Sequence, residues 1–351
     1  MAEKKQRLFD LPETKGAFQL KGVVSGTDKD GFYNEKKTKT GKDMRTINFG
    51  VSYDDNETLY INKTGIAQSK VYFSKKAEEK GGKSTTEAVD WDNRFSYNRE
   101  GFKLIGNNIG VRKKIDEKGK EVNDKKVLTD FDACKEIGDN LKDGASVFIR
   151  GNIDYSSFIN DKGDKRVSIK LDPNQVSLCS DIDFKADGYE KQNNFNQVII
   201  FVGIDKEKDS NDKETGRFVV SAKIVTYSTI EDVEYIITDS KLANLFKKNL
   251  KPYNAIKVNG DIVSSKQVEE VSEEDAWGET DKMNKVSNPT KREFIIKGAT
   301  PSTIDKELYT EEKVQEAIAK INNANKAEND FGSSSTSDWG EVSDDDDEEV
   351  W

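Results

Sequence analysis

What most constrains this chain is an alternation. Apolar residues recur at every second position in short runs, and the runs break at clusters of Gly, Asn and Asp. A period of two places those residues on one face of a strand, so they can be buried only by folding sheets onto themselves, as in a barrel or a sandwich. Phe18, Leu20 and Val24 share one face of a first strand. Ile47, Phe49, Val51 and Tyr53 share one face of a second, with Thr46, Asn48 and Ser52 pointing the other way. Leu59 and Ile61 mark a third, Val147, Ile149 and Ile153 a fourth, and Val167, Ile169 and Leu171 a fifth. Between the third and fourth, residues 130–142 space Phe131, Cys134, Ile137 and Leu141 for a helix that begins at an Asp cap.

The same order then repeats: strands at 198–204, 217–227 and 233–238, a helix at 240–250, and strands at 255–263 and 292–297. Within it, residues 256–262 (IKVNGDI) echo residues 147–153 (VFIRGNI), and Gly260 matches Gly151 where a strongly bent strand needs a residue without a side chain. At 351 residues the chain accommodates two domains, each able to bury its own core. Charged residues make up 35% and hydrophobic residues 34%, which suits small solvated domains with long loops.

The end of the sequence is of another kind. Residues 338–351 carry eight carboxylates and no Lys or Arg, which leaves −2 of the net −10 for everything else. Like charges this dense keep a segment extended and solvated, as an interaction tail. Trp339, Val350 and Trp351 have no core to join there, and with Asp344, Asp345, Asp346, Asp347, Glu348 and Glu349 they suit a hydrophobic pocket ringed by Lys and Arg on a partner. A solubilising tail would have no need of those tryptophans.

Five strands with a helix between the third and fourth is the order of the oligonucleotide/oligosaccharide-binding (OB) barrel. On that order and the acidic tail, the chain resembles the bacteriophage-type single-stranded DNA-binding proteins. The resemblance implies a mainly β chain with two tandem five-stranded Greek-key barrels. The first spans 1–182 with a large insertion at about 64–129, and the second spans 190–300 with a polar insertion at about 264–288. An amphipathic helix at 303–321, with Val314, Ile318 and Ile321 on one stripe, would precede a disordered linker and tail at 322–351. It also implies coating of single-stranded DNA without sequence preference in phage replication, recombination and repair, with the tail recruiting other replication or recombination proteins.

Unpaired nucleic acid is held by cationic grooves and by aromatic faces on which bases stack. Two segments combine both. The hairpin from Lys29 to Arg45 has a balance of +3, with Lys36, Lys37, Lys39, Lys42 and Arg45 beside Phe32 and Tyr33. In the insertion, Arg94, Arg99, Lys103, Arg112, Lys113 and Lys114 outweigh Asp92 and Glu100 by +4 and interleave with Trp91, Phe95, Tyr97 and Phe102. Those aromatics fit two readings, base stacking or a small core for the insertion itself. Tyr60, Phe148, Arg150, Arg166 and Lys170 lie on the outward faces of their strands. In the second barrel Lys223, Lys257 and Lys297 are sparser, so the first domain is expected to bind more strongly and the second to serve a partner or self-association.

Several chemistries are disfavoured. With no histidine and only Cys134 and Cys179, a usual zinc site and the Ser/His and Cys/His nucleophile arrangements cannot be assembled, and both cysteines read as structural thiols. Residues 77–85 (AEEKGGKST) fit a relaxed phosphate-loop pattern, and Asp205 ends an apolar run as a magnesium ligand would, so a DNA-dependent ATPase is the second reading. That loop requires a buried parallel strand before it and a helix after it, and Glu78 and Glu79 would stand where phosphate approaches. A non-enzymatic structural or adaptor protein of a phage particle is the third. No cofactor or metal is called for. The chain offers no membrane span and no apolar leader, so a soluble protein of the bacterial host's cytoplasm is expected.

Overall fold

The computed structural model of the chain describes residues 7–77, 79, 82–159, 165–209, 211–266 and 290–330. The acidic segment 338–351 and most of the polar stretch 264–288 lie outside the described residues.

The chain is mainly β. In its first half, β1 (Gly16–Ser25), β2 (Tyr33–Lys37), β3 (Asp43–Ser52) and β4 (Thr58–Ile66) precede a run of short strands. These are β5 (Lys70–Lys75), β6 (Thr85–Asp90), β7 (Lys103–Leu104), β8 (Asn107–Gly110), β9 (Lys113–Ile115), β10 (Glu121–Asn123) and β11 (Lys126–Leu128). Helix α1 (Asp130–Asn140) then leads into the long hairpin of β12 (Ser146–Ile159) and β13 (Lys165–Leu178). The second half has β14 (Gln192–Lys208), β15 (Glu214–Val225), β16 (Ile230–Ile237), α2 (Ser240–Asn249), β17 (Ala255–Lys266), β18 (Thr290–Asp305) and α3 (Glu311–Asp330).

In the second half the strand pairings return to their start. β14 pairs with β15, β15 with β16, β16 runs parallel to β18, β18 pairs with β17, and β17 pairs back to β14. The first half repeats this order with one seam: β4, β3, β1, β12 and β13 pair in sequence, while β13 approaches β4 without a ladder. Period-two faces follow as the alternation requires, with Ile47, Phe49, Val51, Leu59 and Ile61 all nearly or wholly inaccessible.

The halves share one sheet and one core. β1 is bonded along one edge to β12 and along the other to β14 and, past Lys21, to β3. The β1–β14 pair is antiparallel with Phe18 opposite Phe195. Phe18 also faces Gly151 on β12, and Phe195 faces Gly260 on β17, so a local two-fold relates the halves. The echo in the sequence sits at this joint. Ladder register shifts at Arg150/Gly151 and at Asn259/Gly260, and a Cβ there would lie 2.0 Å from the Asp172 carbonyl oxygen or 1.8 Å from that of Ile295. Only glycine lets the two backbones come that close.

Each long hairpin leans over the other half. From β12 and β13, Tyr155 Oη meets Tyr235 Oη at 3.0 Å, Ser157 Oγ donates to Glu231 at 2.9 Å, and Lys165 Nζ lies 2.9 Å from the same carboxylate, which is fully buried. From β17 and β18, the Ser264 N–H donates to Tyr53 Oη, and Arg292 donates to the carbonyls of Ile169 and Tyr60.

Three expected boundaries move. Thr129, not Asp130, caps α1, its hydroxyl accepting from the Asp132 N–H, which frees Asp130 for an ion pair. The last helix begins at Glu311 because 303–305 still belong to β18 and Asp305 then turns the chain by accepting from the N–H groups of Glu307 and Leu308. It runs to Asp330, so 322–330 are helical where a linker was expected. Its Val314 and Ala317 pack with Tyr309, Phe9 and Leu11 on the outside of the second half. No helix among the described residues is long and apolar enough to cross a membrane.

Candidate nucleic-acid interface

The insertion supplies three pieces, one of them the two-stranded hairpin of β9 and β10. β8 extends the main sheet, parallel to β13 and flanked by β11, while β5, β6 and β7 form a separate antiparallel sheet with its own small core. That core consists of Val71, Phe73 and Val89, with Trp91, Tyr97, Phe102 and Leu104 packed against it. Of the two readings for the interleaved aromatics, packing holds for Trp91, Tyr97 and Phe102: Tyr97 packs against Phe73 with ring centroids 4.4 Å apart and planes tilted by 45°, and donates to Glu87 at 2.7 Å. Phe95 is the exception, being 69% exposed.

The two cationic segments meet at one residue that the sequence marks only as a helix position. Phe131, in the first turn of α1, receives the Arg45 guanidinium at 3.8 Å on its ring and the Trp91 ring edge-on at 5.8 Å. Arg94 continues the series, 4.2 Å from Trp91 and 4.3 Å from Phe95. A ladder of alternating cations and rings therefore runs from the β2–β3 hairpin through Arg45, Phe131, Trp91 and Arg94 to Phe95 at its open end. Carboxylates hold it in register: Glu35 takes Arg45 at 3.0 Å, and Asp132 takes Arg94 through two N–H groups at 2.8 and 3.1 Å. Each cation over a ring adds about 0.5–2 kcal/mol depending on its exposure. The contact of Gly65 on β4 with the start of α1 makes this approach possible, since a Cβ there would lie 2.3 Å from the Phe131 nitrogen.

Other expected residues are already engaged. Phe32 is buried, its ring edge-on to Phe49, because the Asn48 N–H donates to the Phe32 carbonyl and draws it under β3. Phe32 is thus removed from the surface expected for it. Tyr33 donates to Glu35, and burial together with that bond raises its hydroxyl pKa. Arg112 pairs with Asp124 and Glu136, Lys113 with Glu121, Lys114 with Asp124, Lys37 with Asp43, and Arg99 with Glu87. Apart from Asp124 and Glu136, which are partly buried, these pairs are solvent-exposed, each worth less than about 1 kcal/mol and open to exchange for phosphate.

Lys36, Lys39, Lys42, Lys103, Arg150, Arg166 and Lys170 are exposed, Tyr60 is 52% exposed, and Phe148 is half-buried. Lys36, Lys39 and Lys42 border the outer face of β3 and β4, which presents Asn48, Ser52, Thr58, Asn62 and Thr64 around Tyr60. The Asn62 amide donates to Asn48 at 3.0 Å, and Ser52 and Thr58 hydroxyls lie 2.8 Å apart. That face is neutral and polar, edged by lysine. In the second half Lys223 is held by Asp232 and Lys297 by Asp261, while Lys257 is exposed.

Beneath the seam between β4 and β13, Lys63 is buried with Asp130 at 2.7 Å and Asp172 at 3.0 Å. Burial lowers the Lys63 pKa, and the two carboxylates more than reverse this, so it stays charged. Burial raises Asp172 to about 6 despite the lysine, while at Asp130 the lysine outweighs burial and lowers the pKa. Cys134 lies in the same layer, its thiol pushed up to about 12 by burial. Cys179 is half-buried and, like Cys134, free. The 77–85 segment joins two antiparallel strands, β5 and β6, and Thr85 opens a strand where a phosphate loop would open a helix.

No curated protein matches the sequence. Among solved structures, the chain is similar to the single-stranded DNA binding protein from Thermus aquaticus. A deletion mutant of that protein is 10% identical, with 86% of this chain and 98% of that one covered at a TM-score of 0.39. Its wild type is 9% identical, with 82% and 93% covered at a TM-score of 0.38. A Replication Protein A heterotrimer bound to ssDNA is 9% identical, with 90% and 97% covered at a TM-score of 0.19. At such scores the likeness says nothing about what this chain binds. The family model that matches residues 76–334 is the one described as YorF, and the chain belongs to the YorF family.

Proposed function

We propose that the chain is a non-enzymatic protein that binds single-stranded DNA without sequence preference, using two tandem OB-type barrels. The strand order of each half and the location of α1 and α2 before the fourth strand support that fold assignment. The observation that carries the reading is the meeting of the lysine hairpin and the aromatic insertion at Phe131. The meeting leaves Phe95 as an open stacking face at the end of the ladder, and the same half presents a neutral polar strand surface edged by Lys36 and Lys42. Bases stack on such a ring irrespective of identity, and lysines follow phosphates irrespective of sequence. In this reading the protein coats DNA during phage replication, recombination or repair, and the 338–351 segment steers basic partner proteins to it by charge and tryptophan.

Fluorescence anisotropy with labelled oligo(dT) tests the reading. The full chain should bind at low salt and release as salt rises. Phe95→Ala should weaken binding about 5- to 100-fold, corresponding to one stacked base, without lowering thermal stability. Failure of the unaltered chain to bind at low salt refutes it.

A further inference from the structure

Where the β17–β18 hairpin leans over the first half, a cleft of about 300 Å³ opens between Thr58, Leu59 and Tyr60 of β4, Val167 and Ile169 of β13, and Ser264 and Arg292 of the second half. Arg292 is the cation of this cleft. Its guanidinium donates to the Ile169 carbonyl at 2.8 Å and the Tyr60 carbonyl at 3.1 Å, and among the described residues it has no ion pair with a carboxylate. Burial alone lowers its pKa. A guanidinium taken from water is ordinarily matched by a carboxylate, because carbonyl dipoles compensate only part of the lost hydration. A guanidinium has five N–H groups, and two carbonyl bonds leave three of them for an anion. Beside it stands Tyr60, half of whose surface is open, and the wall behind is aliphatic.

The chemistry so assembled is a planar face, an apolar wall and an under-compensated fork of N–H donors, and a nucleotide fits it: the base on the tyrosine, the phosphate on the guanidinium. We infer that this cleft, built from both halves, is a nucleotide subsite at which Arg292 anchors a backbone phosphate and Tyr60 stacks a base of a single strand passing from one half to the other. The inference rests on the single-stranded DNA reading above and adds to it a cation from the second half. It also gives the hairpin crossing a role, since neither half has the site alone.

A purely structural role for Arg292, clamping the halves together, makes a different prediction. The clamp uses the backbone carbonyl of residue 60, so Tyr60→Ala leaves it intact. In the full chain, oligo(dT) titrations should give Tyr60→Ala an affinity about 5- to 100-fold weaker at unchanged melting temperature. Arg292→Met should flatten the slope of log affinity against log salt by about 0.7, the contribution of one phosphate contact on a single strand. Arg292→Lys should restore most of that slope but not the melting temperature, because an ammonium replaces the charge and not the fork. Unaltered affinity in Tyr60→Ala, or an unaltered slope in Arg292→Met, overturns the cleft while leaving the wider reading in place. Loss of all binding by the unsubstituted chain overturns both, and equal affinity for duplex DNA overturns the cleft because a paired base cannot lie on Tyr60.

Discussion

The two halves of the molecule have the same strand order and the same glycine joint, yet they differ around their helices. In the second, α2 starts at an Asp239 cap, ends in Lys247 and Lys248, and buries Ala243 and Phe246. In the first, the opening turn of α1 supplies Phe131, the ring at which the cation and ring ladder from β3 and the insertion joins, and seven further strands have been inserted ahead of it. The duplicated part is what backbone geometry demands. The part that differs hangs on loops and a helix end, where side chains can change without disturbing a ladder.

The sharpest way to break the resemblance of the halves is to remove its common element. Gly151→Ala and Gly260→Ala each force a methyl group into a backbone carbonyl, and each should cost about 4 kcal/mol or prevent folding, in equal measure if the local two-fold is real. Urea denaturation of the two variants checks this, and a large cost at one site only would show that the joints are not equivalent. The next effect tests the crossing of the β12–β13 hairpin over the second half. Lys165→Met leaves Glu231 buried with only Ser157 as partner and should destabilise by about 3 kcal/mol, recovered in large part by adding Glu231→Gln. Absence of recovery would mean that Lys165 acts by packing alone.

The smallest effect concerns pH and separates the seam of the first half from the closed second half. Burial raises the Asp172 carboxyl from 3.8 to about 6, so the folded chain holds that proton more tightly than the unfolded one. Its contribution to stability is complete below about pH 4 and is lost as pH rises through about 6. Asp172→Asn should therefore make melting temperature rise more steeply with pH across that interval. An unchanged profile would place the proton elsewhere in the Lys63 cluster.

The faces of the strands were legible because alternation is a property of each strand alone. Lys63 also stands two residues past Ile61, on the inward parity of β4, so its burial could have been read from spacing even though its partners, in α1 and β13, could not. Phe32 misleads because it stands in a lysine-rich hairpin while its backbone partner, Asn48, lies on β3. The aromatic insertion was half legible: composition announced cations and rings, but which rings pack and which remain open depends on β5 and α1 folding against them. Arg292 was illegible, since what surrounds it comes from the other half.

Strand β1 has both its edges engaged in the finished protein, and the partner for Gly16–Lys21 is synthesised only from residue 192 onward. In the interval that edge is open, and a sister chain at the same stage offers an identical one. Because the native ladder opposes Phe18 to its counterpart Phe195, two nascent copies can zip together about Phe18 in the same geometry. Edge-to-edge pairing of two copies through β1 is thus the hazard of the interval before residue 192 is made, and a fragment of residues 1–182 should sediment as a dimer joined along that edge.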